Sequence, residues 1–244
     1  MAACGSVPRP FATVETFVRV LPGASKACHV ICVDGTQKAI KAACLRKHVI
    51  AEHVVARVGQ LFQAPVGQLG FAIVPDAIRA AQPELAPYGT ELAHATDWED
   101  GCGERLALEY SNEPYNRERF AAIVVLYTLV HADDPQVIYK KNEPHTVYSV
   151  DHGHFLVGGP GAWTEGSLLG AAPLTTLHPW AVQVALTHDE LRPFRKRLEA
   201  ITDADFQMVS LGPPDEWGIT QGERDALAAY FSKRRNEVLN LLPA

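Results

Sequence analysis

The sequence predicts an α+β protein with a mostly β front and a mostly helical back. Three observations carry this. Residues 12–43 alternate apolar and polar in short β-branched runs broken by turn signals. Residues 47–62 and 116–131 change to helical period. Beyond residue 163 strand signals stop, and Thr202 before Asp205 and Thr220 before Glu223 read as helix N-caps.

Taken in order, "ATVETFVRVL" (12–21) reads as a first strand, and "PGASK" (22–26) interrupts it. "ACHVICV" (27–33) alternates again. The "DG" pair at 34–35 is a hairpin signal, and "QKAIKAA" (37–43) makes a third strand. In "KHVIAEHVVARVGQLF" (47–62), Ile50, Val54, Val58 and Leu61 form a helical stripe, and Glu52 falls off it. "VGQLGFAIVP" (66–75) returns to extended structure, and Pro75 with Asp76 starts a short helix. The polar and acidic stretch 94–116 is expected to form loop and short helix. Residues 116–131 are apolar almost all round, so that helix should be buried. It ends at "HADDP" (131–135), followed by a predicted hairpin of "QVIYK" (136–140) and "TVYSV" (146–150). No internal repeat or low-complexity segment appears.

The bulk numbers exclude several classes of function. At 244 residues, 47% hydrophobic and 20% charged, the chain has the composition of an ordinary globular protein. A net charge of −6, with basic clusters only at "RKH" (46–48) and "KRR" (233–235), argues against nucleic-acid binding. Both clusters read as solvated helix faces. The run "FAAIVVLYTLV" (120–130) is too short to span a bilayer, and "MAACGSVPRP" lacks the pattern of a signal peptide, so no membrane role is expected. Five cysteines, an odd number without a CxxC pair, point to a reducing, cytoplasmic compartment. Cys28 and Cys32 read as buried small hydrophobes.

Phosphoryl transfer needs a cation on the phosphates, carboxylate-held metal and an acid at the attacking hydroxyl. The chain carries such parts in order. They are the glycine-bearing turn "PGASK", Lys41 on the third strand, Glu52 on the next helix, Asp133 after the buried helix and Asp151 after the hairpin. The blander reading makes Lys41 and Glu52 solvated residues and the aspartates turn residues. A third reading takes His131, His152 and His154, with an aspartate, as a zinc or iron site of a metal-dependent hydrolase. Against it, Gly153 suggests a turn. His152 then reads as a residue fixing the Asp151 loop and His154 as a packing residue.

Three stretches resemble the small HipA-like kinases, relatives of protein kinases and phosphatidylinositol kinases. "FVRVLPGASKACHVICVDGTQKAIKA" resembles their glycine-turn hairpin and lysine strand. "AEHVVARVGQLFQAPVG" resembles the helix bearing their glutamate, and "LVHADDPQVIYKKNEPHTVYSVDHGHF" their catalytic loop, hairpin and metal aspartate. The resemblance implies a two-lobed kinase-like fold, with a nucleotide-binding lobe at 1–80, a helical lobe at 81–244, and ATP with Mg²⁺ in the cleft. It implies that Gly23, Ala24, Ser25 and Lys26 lie over the triphosphate and that Lys41 contacts the phosphates and pairs with Glu52. Asp151 and Gln136 would hold the metal. Asp133 would orient a hydroxyl, of serine or threonine on a protein substrate, and accept its proton. The family loop reads Asn-x-Asp-Arg with a metal-binding Asn beyond it. Here it reads His131, Ala132, Asp133, Asp134, and the next acceptor amide is Gln136. A nucleotide-binding pseudokinase that works as a binding module is the second reading the resemblance allows.

Overall fold

A computed structural model describes residues 11–159 and 161–244. The amino-terminal stretch read above for a signal peptide, with Cys4, lies outside the described residues. By contacts the chain forms two compact units that interleave in sequence, one of residues 1–45 and 68–98, the other of residues 46–67 and 99–244. This differs from the single division expected near residue 80. The helix at 47–61 packs with the second unit, against residues 152–154, so it leaves the strands that flank it in sequence.

The first unit is a closed barrel of β1 (Ala12–Val20), β2 (Cys28–Cys32), β3 (Gln37–Lys41), β5 (Ala93–Asp97) and β4 (Leu69–Ile73), neighbours in that order. The expectation of three strands and a further extended segment is corrected here. Strand β5 lies where loop and short helix were expected, and it joins β3 to β4 through antiparallel ladders on both sides. A parallel pairing of Ala12 with Ala72 and Thr13 with Ile73 closes the circle. Five strands leave a narrow interior, and the inward residues are accordingly small or branched: Val14, Cys28, Val30, Cys32, Ile40, Ala72, Ala93 and Ala95. Both cysteines are fully buried as expected. Burial pushes each thiol above its ordinary value. Helix α2 (Asp76–Ala81) and a turn carrying Leu85 and Tyr88 complete this core, where the Tyr88 hydroxyl donates to the Ile40 carbonyl at 2.8 Å.

The second unit is built around α3 (Pro114–Val130), buried almost throughout from Phe120 to Val130 as its all-round apolar pattern demands. A three-stranded sheet of β6 (Cys102–Glu104), β7 (Gln136–Lys140) and β8 (Val147–Val150) belongs to it, and β6 again stands where no strand was expected. Helix α1 (Lys47–Leu61) is buried on most of its circumference, Glu52 included, although Leu61 of the expected stripe is partly exposed. The tail supplies α4 (Glu165–Leu169), α5 (Trp180–Gln183), α6 (His188–Glu199), α7 (Asp203–Ser210) and α8 (Gln221–Leu241). Thr164, Thr187, Thr202 and Thr220 each form a capping box at a helix start, the last two as their sequence pattern predicts.

The basic cluster "KRR" is not a solvated face. Arg234 is buried, donating to Ala172 O and Glu237. Lys233 donates to Ala171 O at 2.6 Å and Arg235 to Ile201 O at 2.5 Å. Their charges are spent largely on carbonyls just after the helices Glu165–Leu169 and His188–Glu199, which ties those segments to the helix Gln221–Leu241.

Arg117 of α3 clamps α6 through Glu190 (2.6 and 2.8 Å) and the carbonyls of Val184 and Ala185. The Arg117 guanidinium, aided by Thr187, holds the Glu190 carboxyl down to about 2, against an ordinary 4.5. A depressed carboxyl stabilises the fold fully above its unfolded value and loses that contribution as pH falls through its folded value. Glu190→Gln should therefore flatten the fall in stability between about pH 4.5 and pH 2. Denaturant midpoints measured across that window check it; parallel profiles for the two proteins would contradict it.

Candidate functional site

The residues singled out from sequence fall into two groups. Lys41 and the turn 23–26 belong to the barrel unit; Glu52, Asp133, Gln136 and Asp151 belong to the helical unit.

In the barrel unit, Lys41 ends β3 next to Ile40. Alternation along a strand sends Ile40 into the barrel and Lys41 to the opposite face, where its register partner is His94 of β5. The turn between β1 and β2 is closed by the Leu21 amide donating to Ala27 O at 2.7 Å. At its tip Gly23, Ala24 and Lys26 are exposed, and Ser25 is half-buried. Gly23 at φ 116° needs the freedom only glycine has, and Lys26 at φ 46° takes the left-handed region as well.

In the helical unit, the hairpin β7–β8 does the positioning. Its register pairs Gln136 with Val150, so the loop leaving α3 and the residue leaving β8 share one end of the hairpin. Gln136 and Asp151 lie at that end, and Asp133 and Asp134 stand in the loop that leads into Gln136. His131 caps α3 in the left-handed region at φ 58°, which turns the chain sharply into Asp133. His131 Nε2 lies 3.2 Å from Asp133 Oδ1, and both side chains are about half exposed. The Gln136 amide donates to Asp134 Oδ2 at 3.1 Å, which leaves its carbonyl oxygen as an acceptor; His154 Nδ1 stands 3.7 Å from the same Asp134 oxygen. Asp151 itself is left-handed, at φ 56° and ψ 59°, a conformation aspartate tolerates better than most residues.

Beneath this end runs a buried polar chain that sequence reading did not find. Tyr127 O–H donates to Gln136 O at 3.2 Å and shares a 2.8 Å hydrogen bond with Ser149. Ser149 in turn meets His152 Nε2 at 2.8 Å, and His152 Nδ1 faces Glu52 Oε1 at 3.6 Å. All four side chains are buried. Glu52 is thus neither solvated nor a stripe residue; it lies against the turn that follows Asp151. Gly153 suits the close approach there, because a Cβ would stand a tight 3.3 Å from the His48 backbone carbonyl. The signal for the chain was present in one place: a tyrosine inside an apolar helix has to find a partner for its hydroxyl.

The three histidines do not form a metal centre. His131 turns to Asp133, His152 to Ser149 and Glu52, and His154 to Asp134 and the edge of His48. Among the described residues no group of three or more His, Cys, Asp or Glu side chains could hold a metal ion. Residues 152–154 form a 3₁₀ turn, as Gly153 suggests from the sequence.

The chain as a whole has a kinase-like fold, as the comparison with solved structures shows. A Helicobacter pylori proinflammatory kinase, CtkA, has a similar fold, with a TM-score of 0.62 over 95% of this chain and 96% of that one, at 9% sequence identity. No protein-family model matches the chain, and no curated protein does. Among the described residues no helix is long and apolar enough to cross a membrane.

Proposed function

We propose that this chain is an ATP-dependent kinase of the HipA-like kind, transferring the γ-phosphoryl group to a serine or threonine hydroxyl of a protein in the cytoplasm. One observation supports the reading: the β7–β8 register pairs Gln136 with Val150, so Gln136 and Asp151, the residue after Val150, lie at the end of the hairpin that the loop carrying Asp133 leads into. Hard oxygen donors suit Mg²⁺, and this end offers the Asp151 carboxylate and the free carbonyl oxygen of the Gln136 amide. When bound, Mg²⁺ neutralises charge on the phosphates of ATP. Asp151 and Gln136 would hold it. Lys41 would offset phosphate charge as an ammonium, and the turn 23–26 would offer backbone N–H groups to the triphosphate. Asp133 would orient the acceptor hydroxyl. Glu52, through His152 and Ser149, would keep the Asp151 turn in place.

The loop also favours a second reading, a nucleotide-binding pseudokinase. Asp134 stands where the related loop has Arg, and it is engaged by Gln136 and His154. Incubating the pure protein with [γ-³²P]ATP separates the two. Label appearing in wild type, and lost in Asp133→Ala, is the expected result. A rise in melting temperature with Mg·ATP but no transfer of label would leave the binding module. No response to ATP at all would end both readings.

A further inference from the structure

We propose that His131, oriented by Asp133, is the general base that takes the proton from the acceptor hydroxyl. The inference rests on the kinase reading above and gives to His131 the proton that the resemblance assigns to Asp133.

The geometry comes first. His131 is held at the end of α3 by a left-handed cap, so its ring position is set by a helix rather than by a loose loop. Its Nε2 faces Asp133 Oδ1 at 3.2 Å. A carboxylate facing one ring nitrogen places the N–H there and leaves a lone pair on the other. The Asp133 contact uses Nε2 and leaves the other nitrogen, Nδ1, on a side chain that is half exposed. A carboxylate that orients a histidine and steadies the imidazolium that forms is a recurrent catalytic pairing. An imidazole is also, as a class, nearer in basicity to neutral pH than a carboxylate is, which general-base catalysis favours.

The surroundings permit the charge change. His178, on which the charge of His131 acts, packs edge-on against Tyr127 and Trp180, and its backbone N–H donates to Thr128 Oγ1 at 2.8 Å. Burial, and then the charge of His131, hold His178 down to about 4, so it is neutral at pH 7. Tyr230 of α8, within electrostatic reach of Asp133, keeps its proton because burial raises it.

The step balances. The hydroxyl O–H bond breaks and its proton goes to Nδ1 of His131. The oxygen forms the bond to the γ-phosphorus, and the bond from that phosphorus to the β-phosphate bridging oxygen breaks, releasing ADP. The imidazolium, paired with Asp133, then gives its proton to water.

The test uses the full chain and three substitutions. His131→Gly suits the left-handed position and leaves space for an added base. His131→Asn keeps a polar side chain at that position but supplies no base. Asp133→Ala removes the orienting carboxylate. Phosphoryl transfer from [γ-³²P]ATP should fall about 10²-fold or more in His131→Gly and His131→Asn. Imidazole added in solution should restore a concentration-dependent part of the rate to His131→Gly, and none to Asp133→Ala. A His131→Asn rate within about twofold of wild type, or no rescue by imidazole, overturns the assignment while the kinase reading stands. A wild type that transfers no phosphate overturns the kinase reading itself.

Discussion

Asp151→Asn should lose Mg²⁺-dependent ATP binding, with affinity and phosphoryl transfer falling by about 10² to 10³-fold, because the negative charge of the one proposed metal carboxylate is removed and a single neutral amide oxygen is left in its place. Asparagine tolerates the left-handed backbone that residue 151 adopts, so the fold should survive the change. Asp151→Gly sharpens the contrast. Glycine suits φ 56° better than any side-chain-bearing residue, so its backbone effect on stability is favourable by up to about 1 kcal/mol. Calorimetric titration of ATP with and without Mg²⁺, beside a denaturation curve for each variant, reads both quantities. A variant that binds Mg·ATP like wild type removes Asp151 from the metal site.

His152→Leu should cost about 2–4 kcal/mol of stability. The imidazole is buried between the Ser149 hydroxyl and the Glu52 carboxylate, and leucine offers neither of them a hydrogen-bonding atom. A carboxylate with a buried neighbour removed is the costlier of the two, since charge is harder to leave in a low-dielectric interior than a hydroxyl is. Ser149 keeps Tyr127, which limits the loss on that side. Urea unfolding at constant slope measures it, and a change below about 1 kcal/mol would show that the chain from Tyr127 to Glu52 contributes little. Because the same chain holds the turn after Asp151, activity should fall with stability in this variant.

How legible these features were in the sequence depended on how local their causes are. Strands β2 and β3 announced themselves by alternation and by Asp34–Gly35, and the register of the hairpin follows that turn. Helix α3 was plain because an apolar surface all round has no other home than a core. Thr202 and Thr220 cap helices through contacts three residues away, well within what a short pattern records. Strands β5 and β6 were missed because Ala93–Asp97 and Cys102–Glu104 have little strand character of their own; ladder partners far away in sequence make them strands. Closure of the barrel between Ala12 and Ala72 is non-local in the same way.

The site was legible in its order but not in its wiring. Asp133 and Asp151 could be named because they follow the buried helix and the hairpin in the order phosphoryl transfer needs, and Gln136 because the resemblance points to it as the next acceptor amide. The burial of Glu52 could not, since a residue off the apolar stripe looks the same whether it meets water or a neighbouring turn. The pairing of His131 with Asp133 depends on one left-handed residue, and nothing in "HADDP" forces it. The charges of "KRR" looked solvated because their acceptors are backbone carbonyls, which every sequence has and none reveals.

The most direct test of the account is an equilibrium titration of the full chain with ATP in the presence and absence of Mg²⁺. The account predicts saturable binding of one nucleotide that requires Mg²⁺ and weakens when Lys41 is replaced by alanine. Binding that ignores Mg²⁺ and Lys41 alike, or no binding at all, would contradict it.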